Sequence, residues 1–201
     1  MLSKESVNHL TKIIDEHVAM LQLDMGQGRA LGVSDNHLER PVIMGHSLGG
    51  AVALDLAEHD AQLVGPVIIV DSLPFMAGAS TNAMAASAKD QKMLIDWGLA
   101  SDQKTVTDAM IALVSEDLRP KETKIETPVL VIGTWVGLKS YGVTEEAATS
   151  LFKEQYAGVK HLQFVMAKQA RHFVMWDDPA WFNTQVDGFL TANTGEAIAE
   201  R

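Results

Sequence analysis

The sequence predicts an α/β fold, a mostly parallel sheet flanked by helices, and three observations carry that prediction. Four short apolar segments rich in β-branched residues, at 41–44 (PVIM), 65–70 (GPVIIV), 128–132 (PVLVI) and 162–166 (LQFVM), have the continuous hydrophobicity of strands covered on both faces. Helical patterns alternate with them: LGGAVALDLAEHD after the first, SLFKEQYAG before the last and PAWFNTQVDGFL after it. This alternation implies parallel strands joined by crossover helices. The third observation is a segment from Ser72 to Lys124, rich in Ala and Met, that is too long for one crossover. It predicts a helical cap over one end of the sheet. The chain, residues 1–201, therefore reads as a single domain with 72–124 inserted as the cap.

The elements follow in order. Val7, Leu10, Ile14, Val18 and Leu21 recur every three or four positions, which predicts a helix from Ser3 to about Gln22. Residues 24–37, DMGQGRALGVSDNH, carry the glycine and Asp/Asn/Ser content of a loop. The first strand and its helix come next, then the second strand. The cap segment contains two amphipathic runs, QKMLIDWGLA and TVTDAMIALVSEDL. The third strand, a helix, the fourth strand and a terminal helix complete the pattern. Asp178 followed by Pro179 reads as the N-cap and first residue of that last helix. The end of the chain, TGEAIAER, is expected to fray.

Bulk properties narrow the function classes. Sixteen basic against 26 acidic residues give a net charge of −10, which opposes binding to nucleic acid or anionic lipid. No stretch reaches the roughly 18 uninterrupted apolar residues of a membrane helix, and no leader is read at MLSKESVNHL, so localisation is left open. The chain has no cysteine, which excludes disulfides, thiolate catalysis and thiolate metal sites. No cofactor or metal is expected.

The chemistry concentrates at residues 40–50, RPVIMGHSLGG, where Gly45, Ser47 and Gly49 form a G-x-S-x-G pattern. By composition alone it would arise in roughly one chain of this length in fifteen, so its weight comes from context. It follows a buried strand and opens a helix, the setting in which a sharp turn strains the serine backbone and lifts its hydroxyl above the sheet. Gly45 and Gly49 are expected where a Cβ would crowd the turn, and Gly50 where the helix start packs closely. The Leu48 N–H, at the helix N-terminus, is placed to donate to an oxyanion. The plainer role for Ser47 is to cap an ordinary strand-to-helix turn.

RPVIMGHSLGG resembles the nucleophile elbow of the α/β-hydrolase superfamily in its esterase and lipase form, and the resemblance extends from about His37 to Leu190. It implies an acid and a histidine after the serine, each at the C-terminal end of a strand. Of the seven histidines, His172, in RHFVMWDDPAWF, follows the last expected strand and precedes the terminal helix, where the superfamily carries its base. His46 occupies the variable slot of the elbow, as a pocket-lining or packing residue. The acid departs from the common pattern. In most of the superfamily it follows the strand that here reads PVLVIGTW, but no carboxylate occurs there until Glu145. GPVIIVDSLPF ends in Asp71, and some members, certain lipases and haloalkane dehalogenases among them, place the acid after this strand. Asp71 is the acid expected here, with Glu145, Glu146, Asp177 and Asp178 as the alternatives.

The resemblance also implies several strands ahead of the elbow and a His-Gly loop supplying a second oxyanion donor. Forty-six residues precede Ser47 and contain no His-Gly pair, so the chain is expected to be N-terminally truncated relative to the family, or to have lost strands. LQLDMGQGRAL weakly resembles a loop of the family, in which case residues 18–23 would be a strand; the helix is preferred. Missing strands would expose a sheet edge that a second copy could cover, hence an expected homodimer.

The expected function is a serine hydrolase cleaving small-molecule carboxylic esters through an acyl-enzyme intermediate, with Ser47 as nucleophile, His172 as base and Asp71 as acid. Phe75, Met76, Met84, Met93 and Trp97 are candidates for the acyl pocket, and equally for the core of the cap. The alternative is a catalytically impaired remnant of the fold, acting as an interaction module.

Overall fold

The computed structural model describes residues 39–74, 87–101 and 117–194. The expected helix at 3–22, the loop at 24–37, the competing strand at 18–23, the cap residues Phe75, Met76 and Met84, and the chain end lie outside the described residues, as does most of TVTDAMIALVSEDL.

The described elements run β1 (Ile43–His46), α1 (Leu48–His59), β2 (Val67–Val70), α2 (Ala88–Ala100), a 3₁₀ helix (Arg119–Lys124), β3 (Val129–Gly133), a second 3₁₀ helix (Val136–Tyr141), α3 (Glu145–Gln155), β4 (Leu162–Met166), α4 (Val174–Asp177) and α5 (Pro179–Thr194). The sheet is four-stranded in the order β1-β2-β3-β4. All three pairings are parallel. The α/β fold class read from the alternation is the architecture found.

Side-chain alternation builds a core on each face of this sheet. Val67 and Ile69 of β2 with Val129 and Val131 of β3 face one way, against Ala53, Leu54, Leu56 and Ala57 of α1 and Phe152 of α3. Ile68, Val70, Leu130 and Ile132 face the other way, against Val174 of α4 and Phe182, Val186, Phe189 and Leu190 of α5. β2 and β3 are buried along their whole length, as their unbroken apolar sequences demand. β1 and β4 are only partly buried, which corrects the expectation of strands covered on both faces throughout. Each has a single described neighbour in the sheet.

Boundaries moved where neighbours outweigh local propensity. β1 ends at His46 rather than Met44, because Gly45 and His46 pair with Ile69 and Val70 of β2. α3 begins at Glu145, five residues before the expected SLFKEQYAG run, where Thr144 Oγ1 accepts from the Ala147 N–H at 3.2 Å. Pro179 opens α5, and the Asp178 carboxylate accepts from the Trp181 N–H at 3.4 Å.

Candidate active site

Three strand ends and one loop define the site, all on the C-terminal side of the parallel sheet. β1 delivers His46 and Ser47, β2 delivers Asp71, β3 delivers Thr134, and the loop between β4 and α4 carries His172.

Ser47 sits between β1 and α1 with φ 54° and ψ −122°, a backbone conformation that costs a non-glycine residue about 1–3 kcal/mol. The turn is held from both sides. The Ser47 N–H donates to the Val70 carbonyl at 3.0 Å, and the Ser47 carbonyl accepts from the Gly50 N–H at 2.8 Å. Gly45 makes the tight turn sterically accessible, since a Cβ there would lie 2.0 Å from the Gly49 carbonyl oxygen. A Cβ on Gly50 would lie 2.6 Å from the Ser72 Cβ. The expectation for Gly49 needs correction: a Cβ there meets nothing within 4 Å, and it is the Gly49 carbonyl that a Cβ on Gly45 would strike. The Ser47 side chain makes no capping bond to α1, contrary to the plainer role of a capping serine. Leu48 is the first residue of α1, so its N–H has no partner within the helix and stays aimed outward from the N-terminus.

Asp71 also has a positive φ, 44°, and its N–H donates to the Ile132 carbonyl at 2.7 Å. Its carboxylate is ringed by donors. Oδ1 accepts from the Thr134 N–H at 2.9 Å and Oδ2 from the Thr134 hydroxyl at 2.8 Å. Oδ2 also accepts from His172 Nδ1 at 2.7 Å, across 101 residues of sequence. A carboxylate only accepts, so His172 carries a hydrogen on Nδ1, and in the neutral form of the ring Nε2 is the acceptor. The Asp71 and His172 side chains are 13% and 18% exposed, so the pair is partly shielded from water. One residue on, the Ser72 carbonyl accepts from the Tyr156 hydroxyl at 2.7 Å.

The alternative acids are engaged elsewhere. Glu145 and Glu146 form the first turn of α3. Asp177 accepts from the Arg171 N–H at 2.8 Å, and Asp178 serves the start of α5. Asp177 therefore shapes the loop that carries His172 without touching the imidazole bond.

His46 Nε2 lies 2.9 Å from the His172 carbonyl oxygen, and its ring packs 4.4 Å from that of His172 and 4.7 Å from Phe173. Burial pushes its pKa down to about 4, and repulsion from His172 acts the same way. Phe173 stacks on Trp176 at 4.2 Å and 7°, and Trp176 meets Trp97 of α2 edge to face at 5.8 Å. Trp97 is 53% exposed, so it lies at the outer end of an aromatic run that starts beside His172. Met93 is half-buried on the same helix.

Among the described residues one group has metal-ligating spacing, Asp55, Glu58 and His59. It lies toward the far end of α1 from Ser47, where His59 Nδ1 and Asp55 Oδ1 approach to 3.0 Å as an i,i+4 pair. No helix among the described residues is long and apolar enough to cross a membrane.

Sequence reasoning missed three contributors: Thr134, the His46 bond and Tyr156. Thr134 had a signal, since it directly follows β3, where the superfamily most often carries its acid. The other two had none, because each depends on contacts between segments far apart in sequence.

No protein-family model matches the sequence, and no curated protein does. Solved structures do match. An esterase from Exiguobacterium antarcticum superposes with a TM-score of 0.65 at 14% identity, covering 79% of this chain and 69% of that one. A bromoperoxidase from Bacillus anthracis gives 0.63 at 16% identity, over 79% and 70% of the two chains. An enol-lactonase from Burkholderia xenovorans LB400 gives 0.54 at 22% identity, over 80% and 70%.

Proposed function

We propose, from the premise that this chain has the α/β-hydrolase fold, that it is a serine hydrolase cleaving carboxylic esters through an acyl-enzyme intermediate. The observation that carries the reading is the 2.7 Å bond between Asp71 Oδ2 and His172 Nδ1, with the His172 ring packed on His46, the residue before a serine held in a strained elbow. A carboxylate on one imidazole nitrogen leaves the other free to take a proton, which is what a serine hydroxyl needs to become a nucleophile.

In the proposed cycle Ser47 Oγ attacks the ester carbonyl carbon while its proton passes to His172 Nε2. Asp71 holds the imidazolium in place through Nδ1–H. The Leu48 N–H donates to the oxyanion of the tetrahedral intermediate, aided by the positive end of α1. Collapse breaks the C–O bond, and the leaving alkoxide takes the proton from His172. Water then repeats the sequence on the acyl-enzyme, with His172 as base, and releases the acid and Ser47. Phe173, Trp176 and Trp97 offer an apolar wall from His172 outward for the acyl or alcohol group, and Phe75, Met76 and Met84 stay acyl-pocket candidates on the sequence alone. The segment 72–124 is proposed to act as a cap.

A fluorophosphonate probe and a short p-nitrophenyl ester test the reading. The folded protein should label at Ser47 and hydrolyse the ester well above a Ser47→Ala control. Intact protein that does neither is the impaired remnant instead.

A further inference from the structure

We propose that His46 is a positioning residue: its Nε2–H donates to the main-chain carbonyl of His172 and thereby ties the base to the strand that delivers the nucleophile. This rests on the serine-hydrolase reading above and adds to it a residue that touches neither substrate nor reacting atoms.

The geometry gives His172 two anchors of different kinds. Asp71 holds the side chain, through Nδ1 at 2.7 Å. His46 holds the backbone, through the carbonyl at 2.9 Å, and it is the residue immediately before Ser47. The bond spans 126 residues and joins the end of β1 to a loop with no sheet partner of its own at that point. The loop is also held by Ala170 and Val174 in the core, by the Phe173 carbonyl accepting from the Trp176 and Asp177 N–H groups, and by the Arg171 N–H bond to Asp177, but the His46 bond joins it directly to the residue before Ser47. Misplacement of a reacting group by about 1 Å can cost a hundredfold in rate, so a direct tie between the two halves of a proton-transfer pair has a large lever.

The chemistry of the bond also fixes the state of the ring. A carbonyl oxygen only accepts, so Nε2 must carry hydrogen and His46 is the Nε2–H tautomer. Its environment keeps it neutral: burial and the adjacent His172 both oppose a charge, against weaker support from the carbonyl bond and from Asp71. Neutrality suits the role. A cation 4.4 Å from the His172 ring would oppose the imidazolium that forms in each half-reaction. The groups packed around it are the His172 and Phe173 rings and, through space, the Asp71 carboxylate.

Two variants of equal length separate positioning from packing. His46→Gln keeps an N–H donor at the reach of Nε2, and His46→Met fills the space with no donor. The Met variant should lose about ten- to a hundredfold in kcat on a p-nitrophenyl ester with KM changed less than threefold, and its rate of fluorophosphonate labelling should fall in parallel. The Gln variant should recover at least tenfold of that loss. Equal kcat in the two variants overturns the proposal, even if both melt below the parent. The parent's own turnover and labelling keep the two readings apart, because an inactive parent sinks the hydrolase reading and an active parent with equal variants sinks only this one. Should either variant fail to fold, nitrogen chemical shifts of the unsubstituted protein decide. His46 should show a protonated Nε2 and a bare Nδ1 from pH 6 to 9, and a ring that titrates near pH 6.5 or holds its proton on Nδ1 overturns the proposal.

Discussion

Two shielded carboxylates, Asp71 and Glu122, sit in this domain in opposite circumstances. Asp71 lies past the C-terminal end of β2 and receives three hydrogen bonds, from the Thr134 N–H, the Thr134 hydroxyl and His172 Nδ1. Glu122, in the 3₁₀ helix ahead of β3, receives one from the Gly158 N–H at 2.9 Å, and its other oxygen is buried with no hydrogen-bond partner among the described residues. Burial pushes the Glu122 carboxyl up to about 7, with the Gly158 bond and Arg119 only partly offsetting it. A shielded charge needs donors on both of its oxygens. Surrounded by donors, a carboxylate can hold a neighbour's proton in place; with one donor it becomes a weak point that the fold tolerates for the sake of a turn. Gly158 is part of that turn, since a Cβ there would lie 2.8 Å from the Glu122 side chain.

The largest expected effect comes from reversing one of the Asp71 contacts. Asp71→Asn keeps an acceptor for the Thr134 N–H but turns an NH₂ toward both the Thr134 hydroxyl and His172 Nδ1. To avoid facing two N–H groups, the imidazole must move its proton to Nε2, the nitrogen that has to accept from Ser47. Turnover should fall about ten-thousandfold, with the melting temperature changed far less. A loss under tenfold would show that Asp71 does not orient the base, and a matching loss in Glu145→Gln would move the acid to α3.

Thr134→Val asks how many donors Asp71 requires. It deletes the hydroxyl and leaves the main-chain bond. A hydrogen bond to a charged group contributes about 1.5–3 kcal/mol, so kcat should drop about ten- to a hundredfold if the whole term acts on the transition state. Thr134→Ser should restore most of it. An unchanged kcat in the Val variant would mean that the main-chain donor and His172 suffice.

The two carboxylates also differ in how readable they are. Asp71 ends an unbroken apolar strand, and a charge at that boundary is visible in GPVIIVDS without any structure. Ser47 and His172 are readable for the same reason, since each follows a strand whose hydrophobicity marks its end. Their pairing follows from parallel topology, which gathers strand ends on one side. Glu122 sits in RPKETK, which reads as a solvated turn, and nothing local reveals that it is buried. His46 is equally opaque: it looks like one more packing residue until the loop that carries His172 is laid across β1. Local pattern finds the strands, though pairing with β2 carries β1 past Met44 to His46; partners contributed by distant segments need the assembled sheet.

Tyr156 lies between the two regions and links them. Its hydroxyl donates to the Ser72 carbonyl, one residue past Asp71, and it is fully buried near Glu122. Tyr156→Phe leaves that carbonyl without its donor in the core, a loss of about 1–3 kcal/mol, and should lower the melting temperature by several degrees. The backbone of Asp71 keeps its own bond to Ile132, so kcat should change by less than about fivefold. A larger catalytic than structural effect would make Tyr156 part of the Asp71 scaffold.

Glu122→Gln should have the smallest effect, one that appears through pH. The free carboxyl titrates near 4.5 and the folded one near 7, so between these values the folded protein binds more protons than the unfolded chain. Stability from this group is therefore complete below about pH 4.5, declines as pH rises through about 7 and is level above that. Gln keeps the oxygen that accepts from the Gly158 N–H and removes the titration. Relative to the variant, the unsubstituted protein should lose a few degrees of melting temperature between pH 5 and pH 7.5. Parallel profiles across that window would show that Glu122 stays ionised when folded, and that one main-chain donor with Arg119 nearby is already enough for a buried carboxylate.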